Sequence, residues 1–157
     1  MALYLIAPSI ALVGAGAVLA ARARFRLRRI DPVRIGVDIV EVRDVASALA
    51  SPRAERYLRL VYGAGERRDC SSPGFGVEPS RLAARFAAKE AVRKAIGGAA
   101  LEAPWTSIQV ERGPGGEPLV RLAGPAAAAA RELGLRRFAV SLSHEPGYAA
   151  AMVVATR

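Results

Sequence analysis

The stretch RLAARFAAKEAVRKAIGG, residues 81–98, reads as one unbroken helix ended by Gly97 and Gly98, and what it needs around it constrains the rest of the chain. At about 100° per residue from Leu82, Phe86 falls at about 40°, Ala83 at about 100° and Ala87 at about 140°, a small apolar face. Glu90 and Lys94 fall inside that face, at about 80° and 120°. Arg85, Lys89 and Arg93 make a separate basic edge at about 300°, 340° and 20°. Two readings stay open. Glu90 and Lys94 form an i,i+4 pair on a solvated surface, worth about a few tenths of a kcal/mol. Alternatively the face is half-buried, and the carboxylate must then meet a metal ion or a cluster of basic groups.

Around this helix the chain reads as mixed α and β. VRIGVDIVEV, residues 33–42, is an apolar, β-branched run that predicts a strand at the centre of a sheet, interrupted by Asp38. Residues 43–62 predict helix, with Val45, Leu49, Tyr57, Leu58 and Val61 on its apolar side and a break at Ser51-Pro52. GAGERRDCSSPGFGVEPS, residues 63–80, predicts a long mobile loop. Two strands are expected either side of Gly113–Gly116, and then a short alanine-rich helix from Gly124 to Gly134. A final antiparallel pair is joined at Glu145-Pro146-Gly147.

The N-terminal 32 residues stand apart from 33–157. Residues 2–21 contain no charge, and RARFRLRR follows directly, the length and basic flank of a membrane helix with a cytoplasmic body behind it. A start at Val33 is the alternative, in which case residues 1–32 are not translated. Of the formal net charge of +9, residues 1–32 supply +4 and residues 33–157 supply +5. Such a chain is drawn to polyanions, acidic proteins or anionic membranes. Nucleic acid is disfavoured, because only nine residues are aromatic and none interleaves the arginine clusters. A single cysteine, Cys70, and a single histidine, His144, exclude an internal disulfide and leave no convincing Cys/His metal or catalytic spacing, which fits a reducing, cytoplasmic compartment.

Asp38 has its own two readings: an ion pair with one of the many arginines, or a ligand. Mg²⁺ on a phosphate substrate takes one or two carboxylates, with water and phosphate oxygens completing the octahedron, and Asp38 with Glu90 would suffice. His144, alone of its kind, is read as packed or hydrogen bonded unless something else singles it out.

Four segments, IGVDIVEV (35–42), RFAAKEAVRKAIG (85–97), GEPLVRL (116–122) and AVSLSHEPGYAAAMVVA (139–155), together resemble holo-acyl-carrier-protein synthase, the short bacterial type of phosphopantetheinyl transferase. The resemblance covers essentially all of residues 33–157. It implies an α+β, phosphopantetheinyl transferase-like fold, a small mixed sheet packed with a long helix. It also implies a homotrimer with active sites between neighbouring subunits. The implied reaction moves 4'-phosphopantetheine from coenzyme A to a serine of an apo acyl carrier protein, with Mg²⁺, releasing adenosine 3',5'-bisphosphate for fatty-acid biosynthesis. On the family's pattern Asp38 and Glu90 hold the metal. Glu90 and Lys94 serve catalysis, with Lys94 neutralising a phosphate oxygen in preference to donating a proton. Arg85, Ser143 and His144 bind coenzyme A. Arg43, Arg53, Arg56 and Arg59 are candidates for docking an acidic carrier helix. One departure stands out: the family commonly has a basic residue six positions after the strand aspartate, where this chain has Asp44. Carrier preference is therefore open between the fatty-acid carrier and a polyketide or other specialised carrier domain. A membrane-tethered basic binding module without catalysis is the competing class.

Overall fold

The computed structural model describes residues 33–157 apart from residues 73 and 75. The expected membrane segment at residues 2–21 lies outside the described residues. Among the described helices none is long and apolar enough to cross a membrane.

In chain order, β1 (Arg34–Glu41) runs directly into α1 (Val42–Ala50), and α2 (Ala54–Val61) follows after the expected break at Ser51-Pro52. The segment predicted as a long loop is mostly ordered structure: α3 (Ala64–Asp69) and two short paired strands, β2 (Ser71–Ser72) and β3 (Gly76–Val77). The long helix α4 (Pro79–Ile96) opens on Pro79, whose missing N–H costs nothing in a first turn. Gly97 ends it at φ 71°, a backbone conformation that favours glycine. The hairpin β4 (Ile108–Arg112) and β5 (Pro118–Leu122), helix α5 (Gly124–Glu132), and strands β6 (Arg137–His144) and β7 (Tyr148–Thr156) complete the chain.

The α+β class and the long central helix are as expected, but the sheet differs in two respects. Among the described residues every strand pair is antiparallel, so in place of one mixed sheet there is a three-stranded sheet β1-β7-β6 and two hairpins, β2-β3 and β4-β5. And β7 holds the centre, while β1 lies at the edge. Apolar residues on both faces of β1 suggested a central strand. Its outward set, Ile35, Val37 and Ile39, is more than half exposed, beside Met152 and Tyr148 of β7. The inward set follows from the register: Gly36, Asp38 and Val40 lie opposite Val153, Ala151 and Ala149.

Small residues on that inward face let α4 approach closely. Ala149, Ala151, Val153 and Ala155 are buried, and so are Ala84, Ala87, Ala88, Ala91 and Ala95 of the helix. At Gly36 the contact is backbone to backbone, since a β-carbon there would overlap the carbonyl oxygen of Ala91. Leu82, Val92 and Ile96 supply the larger buried volume, each stabilising by about 1.5–3 kcal/mol.

The helix is thus buried on most sides, and the basic edge expected from its angular pattern is corrected at Lys89. That side chain is fully buried, as is Glu66 of α3. Lys89 Nζ donates to Glu66 Oε2 at 2.8 Å, to the carbonyl of Trp105 at 3.2 Å and to the carbonyl of Ile108. Glu66 in turn accepts the backbone N–H of Gly63 at 2.8 Å and of Val110 at 2.9 Å. Burial pulls the Lys89 pKa below its ordinary value, and the Glu66 charge and hydrogen bond oppose that pull. This pair is why residues 64–69 are ordered: Glu66 needs its cation, and α3 delivers it there. Replacing Lys89 with Met would leave the Glu66 carboxylate uncompensated. Urea denaturation of Lys89→Met is expected to show a loss of about 3–5 kcal/mol. The double variant with Glu66→Gln recovers part of that loss.

Candidate active site

Two hollows flank α4. The first, about 550 Å³, is lined by Asp38 of β1, Asp44 of α1, Tyr57 of α2 and Phe86, Glu90 and Lys94 of α4. Strand pleating turns Asp38 inward with Gly36 and Val40, so its carboxylate meets the helix. Lys94 does not pair with Glu90 one turn back. Its ammonium donates to Asp38 Oδ1 at 2.7 Å and to the carbonyl of Val37 at 3.0 Å. The Asp38 side chain is 16% exposed and that of Lys94 51%. The hydrogen bond to Asp38, with the charges of Asp38 and Glu90 adding to it, raises the Lys94 pKa above the ordinary lysine value. Lys94 is therefore a firm cation at neutral pH, suited to neutralising an anion and poorly suited to giving up its proton.

The donor set of this hollow fits Mg²⁺. It presents hard carboxylate oxygens in the number that ion takes from a protein, and Asp38 is withdrawn enough from water to need a counter-charge. Among the described residues no cluster of three His, Cys, Asp or Glu exists that would cage an ion by itself. Water or phosphate oxygens must then complete the coordination.

The second hollow, about 470 Å³, is basic. Arg81 and Arg85 of α4, Arg112 beside the hairpin turn and His144 at the end of β6 line it, with Gly116 and Pro118 opposite. Arg85 is held from behind, its Nε donating to the carbonyl of Val110 at 3.2 Å and one Nη lying 3.6 Å from Asp69. The Val110 N–H is the one taken by Glu66, so the buried pair and Arg85 grip opposite ends of one residue. Arg81 pairs with Glu78 at 2.7 Å.

Arg85 and His144 are brought together as expected, whereas Ser143 lies elsewhere. Its register partner is Ala150, and that of His144 is Ala149. Adjacent strand residues face opposite ways, so Ser143 points to the outer, apolar face, and Ser141 lines the hollow from the strand edge. Arg81, Arg112, Gly116 and Pro118 escaped the sequence reading. Arg81 carried a signal, since it stands one helical turn before Arg85; Arg112 carried none, because only the hairpin folds it back. The arginines expected to dock a partner lie on α1 (Arg43), in the turn that follows it (Arg53) and on α2 (Arg56 and Arg59), the two helices that line one wall of the first hollow. Arg43 is engaged by Glu41 and, at 4.0 Å, by Asp44, whereas Arg53 and Arg56 are exposed and make no ion pair among the described residues. Arg59 lies 3.7 Å from Glu55.

The two hollows share no residue. Phe86, Glu90 and Lys94 lie about 170° around α4 from Arg81, Ala84 and Arg85. Carboxylates line the hollow on one side of the helix and arginines line the hollow on the other.

The comparisons with known proteins define a class. The chain belongs to the 4'-phosphopantetheinyl transferase superfamily, whose family model matches residues 34–153. Within it the chain is similar to proteins named holo-[acyl-carrier-protein] synthase. That of Anaeromyxobacter dehalogenans is 44% identical over 122 residues, covering 76% of this chain and 92% of the relative. That of Koribacter versatilis is 44% identical over 120 residues, covering 76% and 94%. A Chronobacterium ammoniagenes ACPS–CoA complex superposes with a TM-score of 0.66 at 27% identity, covering 80% of this chain and 98% of that one. The Helicobacter pylori holo-[acyl-carrier-protein] synthase in complex with coenzyme A gives 0.65 at 27% identity, covering 78% and 99%. The family and enzyme class expected from the sequence are borne out.

Cys70 has no part in this chemistry. It is fully buried, and burial pushes its thiol up to about 11. Because that lies above the unfolded value of about 8.5, the thiol's contribution to stability is whole below about pH 8.5 and is lost as pH rises towards about 11. A disulfide thiol reagent at pH 8 is expected to leave the native protein unlabelled and to label it fully once urea unfolds it.

Proposed function

We propose that this chain transfers 4'-phosphopantetheine from coenzyme A to a serine hydroxyl of an apo acyl carrier protein, with Mg²⁺, in the service of fatty-acid biosynthesis. The observation that carries the proposal is the pairing of Asp38, Glu90 and Lys94 in one hollow with a separate arginine-lined hollow across the same helix. In the reaction the serine oxygen bonds to the β-phosphorus, the bond from that phosphorus to the bridging oxygen breaks, and adenosine 3',5'-bisphosphate leaves with the electron pair. Asp38 and Glu90 would hold Mg²⁺, which neutralises charge on the diphosphate as it reacts. Lys94, a cation throughout, faces the same charge. A water beside Glu90 is the candidate acceptor of the serine proton. Arg81, Arg85 and Arg112 with His144 suit the nucleotide phosphates, the guanidinium forking two hydrogen bonds onto each.

The placement of the two hollows favours a site shared between copies. A single coenzyme A cannot pass through α4, so the carboxylates of one chain work with the arginines of a neighbour. The bare apolar outer face of Ile35, Val37, Ile39 and Met152 is the surface such copies would bury, and a homotrimer fits it. Exposed Arg53 and Arg56 beside the carboxylate hollow suit an acidic carrier helix, with Arg43 already occupied by Glu41 and Asp44. A specialised carrier domain would use the same chemistry and differ only at this surface.

Intact mass spectrometry of a panel of apo carrier proteins with coenzyme A and Mg²⁺ tests the reaction. One phosphopantetheine should be gained, and a chelator or Glu90→Gln should abolish the gain; a normal rate in Glu90→Gln would sink its proposed role. Asp38→Asn and Arg85→Ala should each be inactive alone. When they are unfolded and refolded together, about a quarter of the shared sites should regain both intact halves and hence activity. No recovery would place the whole site within one chain. Arg53→Glu with Arg56→Glu should raise KM for the carrier about tenfold or more and leave KM for coenzyme A unchanged.

A further inference from the structure

Lys94 is bound to two groups of β1. Its ammonium bonds Asp38 Oδ1 at 2.7 Å and the Val37 carbonyl at 3.0 Å. Asp38 is the withdrawn partner, at 16% exposure, and a carboxylate so placed needs a counter-charge at all times. We infer that Lys94 is the resident cation of the metal site: it occupies Asp38 while the hollow is empty, yields it to an arriving divalent ion, and turns to the diphosphate that comes with that ion. The inference rests on the proposed role of Asp38 and Glu90 as the metal pair.

The arrangement makes the exchange feasible and gives it a consequence. Asp38, Glu90 and Lys94 line one hollow and Lys94 is bonded to Asp38, so a divalent ion on the two carboxylates and an ammonium on the same Asp38 oxygen would repel at close range. Lys94 is half exposed on a flexible four-carbon stem, and its two contacts are with β1 alone, so it can leave without opening the core. Once displaced by metal alone, it has lost its anion. With coenzyme A present, a phosphate oxygen replaces that anion. Metal and coenzyme A must therefore bind with positive coupling, each tightening the other by the same factor. Lys94 acts as the exchange partner that links them.

Titration of the full chain with Mn²⁺, followed by electron paramagnetic resonance and corrected for Mn²⁺ held by free coenzyme A, reads this directly. In the wild type, coenzyme A should tighten Mn²⁺ binding about tenfold or more. Lys94→Met should bind Mn²⁺ alone about tenfold more tightly than the wild type and should show a smaller gain from coenzyme A, keeping only the part that phosphate oxygens on the ion supply directly. If Lys94→Met binds Mn²⁺ no more tightly than the wild type, while Asp38→Asn abolishes binding, the exchange is wrong and the metal pair stands. If Asp38→Asn leaves Mn²⁺ binding unchanged, the metal pair falls, and the exchange with it.

Discussion

One buried ion pair ties together the parts on which the rest of this structure depends. Lys89 enters the core from α4 and is met by Glu66 and by the carbonyls of Trp105 and Ile108, and Glu66 also accepts two backbone N–H groups, those of Gly63 and Val110. Helix α3, the turn before β4 and the start of the hairpin are thereby fixed to the central helix. Such a pair contributes little over an apolar replacement of equal volume, but it is demanding about position, because every donor and acceptor must be satisfied. The demand reaches the candidate site in two directions. Arg85 is aligned by the carbonyl of the same Val110 whose N–H Glu66 takes, and Glu90, the next residue after Lys89, is turned out towards the carboxylate hollow.

A helix buried on most sides has few surfaces left for chemistry, and here they lie on opposite flanks. The close contact of Gly36 with Ala91 brings β1, and with it Asp38, against one flank. The hairpin and β6 form the other, basic flank. The separation is a direct result of packing, since the sheet and the hairpin compete for the same helix and settle on different sides of it. The apolar outer face of the sheet is the complement of that arrangement. An edge strand with Ile35, Val37 and Ile39 facing water is costly for a lone chain. The proposed shared site and this bare face call for the same assembly.

Much of the fold was legible. The helix ending at Gly97, the break at Ser51-Pro52, the β4-β5 hairpin and the last strand pair follow from local signals that the structure repeats. The errors have physical causes. Residues 63–80 were read as loop because Gly, Ser and Pro dominate them, and the one residue that orders them, Glu66, does so through a contact 23 positions away. Lys89 was placed on a basic edge because angular arithmetic knows one helix face at a time, and alanine is silent about which side is covered. The family resemblance groups Ser143 with His144, and the strand sends these neighbours to opposite faces, so only His144 lines the arginine-bearing hollow.

By itself the sequence determined the class of protein and named the candidate groups: a strand aspartate, a helix glutamate and lysine, and a basic residue about one turn earlier on that helix. Residue type and local spacing are enough for that. Only the tertiary structure decided which cation meets which carboxylate, that Lys94 takes Asp38 while Lys89 is spent on Glu66, and that the arginine-lined hollow lies across the helix from the carboxylates. Those choices depend on burial and on contacts between distant segments. A charge alternates between solvent, core and site according to what packs against it, and no local pattern records that.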